Sequence, residues 1–165
     1  MRKNPELVID IADEQSVFTV DLESIRLAVV RILEEARIER AQISVALVDD
    51  PTIRELNRRY LEHDYATDVL SFVLESSVEH LDGQIVVSTE TAQNEAVRYG
   101  WSADDELLLY VIHGALHLVG YDDATPEEQV KMREREKVVL GFFGLKPRWS
   151  EARTSDNIEP EERTS

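Results

Sequence analysis

The chain has 165 residues, a length typical of one compact domain. It contains no cysteine, which excludes disulfides, zinc sites built from thiolates and cysteine nucleophiles. Its 18 basic and 34 acidic residues give a net charge of −16, which argues against a protein that coats nucleic acid by bulk charge.

The first half of the chain predicts two strands that alternate with two helices. Residues 7–11 form a β-branched run typical of a strand. Asp21 is a suitable N-cap for a helix whose apolar residues recur every three or four positions up to residue 36. Residues 41–48 predict a second strand. Asp50 and the proline after it predict the N-cap and first position of a second helix.

The second half predicts two further strands and three helices. Residues 67–74 and 84–87 form the strands, with Gly83 as the turn before the last one. Capping residues and glycine stops then bound three helices at residues 88–100, 102–120 and 125–143. The predicted fold class is therefore α+β, a single domain with one roughly four-stranded sheet and about five helices. A central buried helix is expected to carry the functional site.

Residues 1–149 are predicted to form the domain, and residues 150–165 a disordered acidic tail, because the tail lacks hydrophobic periodicity. The domain itself is acidic, since residues 151–165 contribute only −3 of the net charge. Residues 131–137 (KMREREK) are predicted to be an exposed helix face of alternating charge. Because we find no targeting signal and no apolar stretch of membrane-spanning length, we expect a cytoplasmic protein with no membrane partner.

Two histidines carry the clearest chemical signal. His113 and His117 are four residues apart, so on a helix both side chains project from one face and can grip one metal ion. Gly120 ends that helix, and a residue shortly after it can complete three ligands with an open fourth position, the arrangement of a catalytic metal. The alternative is a pair of core histidines bonded to backbone carbonyls, but a metal would satisfy both rings together. The other two histidines, His63 and His80, fall in polar segments that predict solvated loops.

The residue after the first histidine argues against a protease. Zinc-protease helices of the HExxH type carry their general base, a glutamate, at that position. Here the position is Gly114, so a metal site on this helix lacks that base.

Separated motifs together resemble one protein family. Residues 113–122 read HGALHLVGYD and match every fixed position of the signature HGxLHLxGYDH up to its last residue. A second group of matches comprises residues 55–57 (ELN), Tyr60, Asp64, residues 67–72 (TDVLSF) and residues 85–88. On these motifs the chain resembles the YbeY family of bacterial rRNA-maturation endoribonucleases, from about residue 5 to about residue 145.

The resemblance implies a metal-dependent hydrolase, usually with one zinc ion, that cuts single-stranded RNA. Its role would be maturation of ribosomal RNA, notably the small-subunit 3′ end, and ribosome quality control. The implied partners are RNA and the ribosome or a small-subunit protein, with no DNA. The implied metal ligands are His113, His117 and Asp123, although the family has histidine at the third position. Aspartate also binds zinc, but its harder oxygen could extend the choice to other divalent metals.

Many members of the family carry arginine directly after the tyrosine of the upstream motif, where this chain has Leu61. Arg58 and Arg54 share roughly that helix face and are predicted to replace the missing cation as phosphate contacts. The alternative for both is a solvated helix face. Two other classes stay open: a non-catalytic ribosome-associated factor with a structural or vestigial metal, and a metal hydrolase of another substrate.

Overall fold

The structure, a computed structural model, describes residues 6–63, 65 and 67–147. Its elements in chain order are β1 (Glu6–Asp13), α1 (Leu22–Glu35), β2 (Arg40–Val48), α2 (Asp50–Leu61), β3 (Val69–Ser76), β4 (His80–Ser88), α3 (Thr89–Tyr99), α4 (Ala103–Leu118) and α5 (Pro126–Gly141). These four strands and five helices confirm the predicted α+β class. The matched Asp64 and the predicted tail at 150–165 lie outside the described residues, as do the last two residues of the predicted domain.

The strands form one mixed sheet in the order β1-β2-β4-β3. β2 runs parallel to both β1 and β4, whereas β3 is antiparallel to β4 and lies at the edge. In this order β2 and β4 are neighbours, although α2 and β3 lie between them in the sequence. The order was not deducible from the periodicity of any one strand, because pairing depends on long-range packing.

Helices cover both faces of the sheet. Alternate residues of β2, such as Val45 and Leu47, contribute to the main core with α1, α3 and α4. Val48 of β2 instead joins a second cluster with Ile53 of α2 and Leu70 of β3. Because successive side chains of a strand point to opposite faces, α4 and α2 lie on opposite faces of the sheet.

The helix caps agree with the sequence at most positions. The side chains of Asp21, Ser88 and Ser102 accept hydrogen bonds from backbone N–H groups in the first turns of α1, α3 and α4. Thr125 and Glu128 form the predicted capping box of α5. Side-chain acceptors at these positions satisfy N–H groups that have no partner within the helix.

Two local predictions were wrong. The N-cap of α2 is Asp49, because its backbone is extended and its Oδ1 accepts the N–H of Thr52 at 2.9 Å; Asp50 already belongs to the helix. Gly83 is not a turn but a residue within β4. A Cβ at Gly83 would lie 2.9 Å from Cδ1 of Leu118, so the glycine lets α4 pack closely on the strand.

α4 is the central helix of the molecule. Eleven of its 16 residues are buried, and it contacts α1, α3, α5, β3 and β4. Its polar residues are therefore held among packed neighbours rather than in solvent. Among residues 6–63, 65 and 67–147, no helix combines the length and apolar composition that crossing a membrane requires.

Candidate metal centre

The last turns of α4 place two imidazoles side by side. His113 and His117 lie one turn apart, and their Nε2 atoms are 3.2 Å from each other. Their side chains are only 14% and 12% exposed. Gly120 then turns the chain back with φ of 109°, a backbone conformation that favours glycine. The residues after this turn are thereby brought to the two rings.

Asp123 is the residue that the turn presents to the histidines. Its Oδ2 lies 3.4 Å from Nε2 of His113 and 3.7 Å from Nε2 of His117. The backbone carbonyl of Asp123 accepts a hydrogen bond from the side chain of Gln129 at 3.1 Å, which ties the turn to α5. The neighbouring Asp122 accepts the backbone N–H of Asp123 instead. The structure thus brings together the three side chains that the sequence singled out.

The separations of the three ligand atoms fit a tetrahedral metal. Zinc–nitrogen and zinc–oxygen bonds of about 2.0–2.1 Å at tetrahedral angles separate neighbouring ligand atoms by about 3.3 Å. The three observed separations are 3.2, 3.4 and 3.7 Å. Two imidazole nitrogens and a carboxylate oxygen are also donors that zinc accepts. Both the geometry and the chemistry of His113, His117 and Asp123 therefore suit a divalent cation.

A buried carboxylate behind His113 completes the group. Glu136 of α5 places Oε2 2.6 Å from Nδ1 of His113, and the Glu136 side chain is only 6% exposed. When Nδ1–H donates to this carboxylate, Nε2 is left to face His117 and Asp123. Carboxylates that hold the second nitrogen of a histidine in this way orient the ring and raise its basicity as a metal ligand.

The electrostatics of the metal-free site follow from these contacts. Burial lowers the pKa of His113, but hydrogen bonds and charge attraction from Asp123 and Glu136 outweigh it and raise that pKa to about 10. Burial raises the pKa of Asp123, yet its hydrogen bonds to His113 and His117 hold the pKa well below its usual range. Without metal, the positive charge of protonated His113 and the negative charges of Asp123 and Glu136 therefore stabilise one another.

Gly114 lies where α4 meets the sheet. A Cβ at this residue would be 2.9 Å from Cγ2 of Ile85 and 3.1 Å from Cγ2 of Val69. The helix thus approaches β3 and β4 closely at the position that carries the general base in HExxH proteases. This packing gives a physical reason for the glycine.

The structure places the two predicted phosphate contacts on α2, which covers the other face of the sheet from α4. Arg58 is exposed and forms an ion pair with Glu55 at 2.6 Å. Arg54 lies one turn earlier on the same exposed side. Leu61 packs against the apolar cluster beneath α2, so its position serves packing in this chain. The role of Arg58 and Arg54 as phosphate contacts stays a prediction.

Glu136 was not among the residues predicted from the sequence to form the site. Residues 131–137 were predicted to be an exposed charged face, but Met132 and Glu136 are both buried. The available signal was the spacing, because Glu136 lies four residues after Met132 and four before Leu140, on the apolar side of α5. His80 was also misplaced: it begins β4 and lies 2.9 Å from Asp82 rather than in a solvated loop.

Comparison with known proteins points to one family. The family model described as endoribonuclease YbeY matches residues 10–144. The chain is 38% identical over 156 residues to endoribonuclease YbeY of Bacillus cereus (strain G9842), which covers 84% of this chain and 97% of that protein. It is 42% identical over 109 residues to endoribonuclease YbeY of Rhodopirellula baltica, where the match covers 65% of this chain and 56% of the relative.

A solved structure has a similar fold. The solution structure of TM1509 from Thermotoga maritima superposes with a TM-score of 0.58 at 28% sequence identity. The superposition covers 94% of this chain and 100% of that one. The similarity therefore extends over the architecture as a whole and is not confined to the histidine motif.

Proposed function

The chain belongs to the YbeY family of endoribonucleases, and from this premise we propose that it is a zinc-dependent enzyme that cuts single-stranded RNA. The observation that carries the metal dependence is the spacing of three ligand atoms on His113, His117 and Asp123, which suits one tetrahedral cation. An aspartate as third ligand leaves room for other divalent metals, manganese among them.

Each residue of the site has a distinct task in this proposal. His113 and His117 supply neutral imidazole nitrogens, and Asp123 supplies a negative oxygen that lowers the net charge of the loaded site. Glu136 holds the His113 ring so that Nε2 faces the cation. When bound, a divalent cation polarises phosphate oxygens and acidifies water. Attack on phosphorus by water and attack by the RNA's own 2′-hydroxyl are both compatible with these residues.

Arg58, or Arg54 in its place, is proposed to hold the RNA phosphate. A guanidinium offers paired N–H donors to a phosphate, as it does to a carboxylate. Arg58 already uses this geometry, because Nε and a terminal nitrogen contact the two oxygens of Glu55 at 3.1 and 2.6 Å. On RNA binding, a phosphate would replace the carboxylate of Glu55 as the partner of the Arg58 guanidinium. Arg58→Ala should then raise KM for RNA more than it lowers kcat.

The cellular role that we propose is maturation of ribosomal RNA, notably the small-subunit 3′ end, and ribosome quality control in the cytoplasm. A net charge of −16 opposes tight binding of free RNA at physiological salt. We therefore expect the ribosome or a small-subunit protein to bring the substrate to the enzyme. Salt-insensitive, submicromolar affinity for arbitrary RNA would contradict this expectation.

The first experiment is elemental analysis followed by cleavage of a single-stranded RNA with and without chelator. We expect zinc at the His113–His117–Asp123 site and cleavage that stops in chelator and returns with zinc. In His117→Ala we expect one zinc fewer per chain than in the unaltered protein, together with loss of cleavage. His63→Ala is the matched control, because it removes an imidazole that stacks on Tyr65 and is not one of the three candidate ligands. Full cleavage by purified His117→Ala in chelator would show that the cleavage does not depend on this metal site and would refute the proposal.

A non-catalytic ribosome-associated factor is the second candidate. Two observations favour it: Asp123 replaces the family's third histidine, and Leu61, half-buried against the apolar cluster beneath α2, replaces the family's arginine. In this case the protein would bind metal and ribosomal subunits but leave RNA intact under all metals tested. The same assay therefore separates the two candidates.

A further inference from the structure

We propose a second divalent-cation site at the tip of the β3–β4 hairpin, formed by Glu75, His80 and Asp82 (the hairpin cluster). Each of the three side chains offers one ligand atom, and these atoms all lie within 4.8 Å of one another. His80 and Asp82 are half-buried, and Glu75 is exposed. One imidazole and two carboxylates form a donor set that zinc and similar divalent transition metals accept.

A β-bulge creates the cluster. β3 and β4 pair regularly until Val73 opposite Gly83, and the next pair is Glu75 opposite Asp82, so Leu74 is the extra residue. With regular pairing, Leu74 would face Asp82 and Glu75 would point to the other side of the sheet. The bulge therefore re-aims the carboxylate of Glu75 towards Asp82, and bulges are common where a side chain must be redirected.

The metal-free cluster contains an electrostatic conflict. Glu75 and Asp82 are directly opposite each other on antiparallel strands, and like charges in this arrangement are destabilising. Moreover, Oδ1 of Asp82 is buried and accepts no hydrogen bond within the described part of the chain, although it lies 2.9 Å from Nε2 of His80. A cation bound between the three side chains would relieve the repulsion and satisfy this oxygen.

The hairpin cluster is separate from the candidate metal centre. Asp82 shares a strand face with Val86, which lies in the cluster covered by α2. Gly83 and Ile85 point to the opposite face, where α4 carries His113 and His117. On the neighbouring strand β2, Gln42 pairs with Asp82, and the nearby cation Arg40 forms an ion pair with Glu6. The two sites therefore bind metal independently.

The test is a zinc titration by calorimetry of the metal-free full chain and of point variants. We expect two zinc equivalents for the unaltered protein and one for His80→Ala. The second equivalent should be lost or strongly weakened in Glu75→Gln and Asp82→Asn, which preserve side-chain shape. Glu79→Gln is the matched control, because it removes an equal charge next to His80 from outside the hairpin cluster. It should retain both equivalents.

His117→Ala separates this proposal from the proposed function. It should lose zinc at α4 and keep the hairpin equivalent, with zinc-dependent shifts of the His80 ring nitrogens in a ¹H–¹⁵N spectrum. Unchanged stoichiometry and affinity in His80→Ala would overturn the second site, whatever happens at α4. So would a His117→Ala protein in which zinc leaves the His80 ring signals unmoved.

Discussion

Glu136 of α5 reaches across to His113 of α4, and the two side chains meet at 2.6 Å between Oε2 and Nδ1. The contact joins two helices that are separated by the turn carrying Asp123. It means that α5, which supplies no candidate ligand, sets which nitrogen of His113 faces the metal. The neighbouring Arg135 pairs with Glu35 of α1, which further anchors this part of α5.

Glu136→Gln should weaken zinc binding by about 10- to 100-fold, because losing the carboxylate makes the His113 ring less basic and less firmly oriented. Competition with a zinc-binding dye measures the affinity. Glu134→Gln is the control, since Glu134 is exposed on the same helix. Equal affinity for the two variants would show that the Glu136 contact does not support the metal.

Zinc binding should release about one proton at pH 8. In the metal-free protein the pKa of His113 is raised to about 10, so the imidazole is protonated and must lose that proton to bind metal. Apparent zinc affinity should therefore rise with pH, by up to about tenfold per unit below pH 10. Calorimetry in two buffers with different ionisation enthalpies counts the protons. Identical heats in the two buffers would argue against His113 as a ligand.

The stability of the metal-free protein should fall as the pH rises, whereas its zinc affinity should increase. A folded-state pKa above the unfolded value of about 6.5 means that protonated His113 stabilises the fold fully below pH 6.5. That stabilisation is lost as the pH rises through about 10. Urea unfolding of the metal-free chain at pH 6 and pH 10 tests this, with His113→Gln as the variant whose pH dependence should be flatter.

Asp123→His should increase the preference for zinc over manganese, because imidazole nitrogen is a softer ligand than carboxylate oxygen. The ratio of the two dissociation constants, measured by competition, is the readout. Asp122→Asn serves as control, since Asp122 bonds the backbone N–H of Asp123 and not the histidines. If the ratio in Asp123→His matched that of the unaltered protein, residue 123 would not be a ligand.

Gly114→Ala should destabilise the fold by about 1–3 kcal/mol, because its Cβ would press on Ile85 and Val69 in a packed core. Gly141→Ala is a matched control at the end of α5, where a Cβ meets nothing within 4 Å. This control should be neutral or more stable by up to about 1 kcal/mol. Urea unfolding with chelator present measures both. A Gly114→Ala protein as stable as Gly141→Ala would refute the close approach.

Local signals in the sequence predicted most of the helices correctly. Each N-cap side chain accepts a hydrogen bond from the backbone N–H three residues later, so a short stretch of sequence is enough to predict the cap. This holds for Asp21, Ser88, Ser102 and Thr125. The shift from Asp50 to Asp49 shows the limit of such signals: two adjacent aspartates can each cap, and the backbone decides between them.

His113 and His117 were predictable from their spacing, whereas Asp123 was assigned as the third candidate ligand through the resemblance to the family signature. Glu136 and the hairpin cluster were not predictable. Glu136 is one charge among many in residues 131–137, and only the packing of α5 on α4 shows that it is buried. Glu75 meets Asp82 only because of a bulge, which depends on the pairing of two strands.

The close contact of α4 with the sheet also constrains how this fold could change its chemistry. A change in a single codon could replace Gly114 by glutamate, and residues 113–117 would then match the HExxH motif. The new side chain would start against Ile85 and Val69, inside the core and away from any substrate. A protease of the HExxH type could evolve from this nuclease fold only if α4 first moved away from the sheet. The obstacle is the close packing of helix and sheet, since the mutation itself is easily reached.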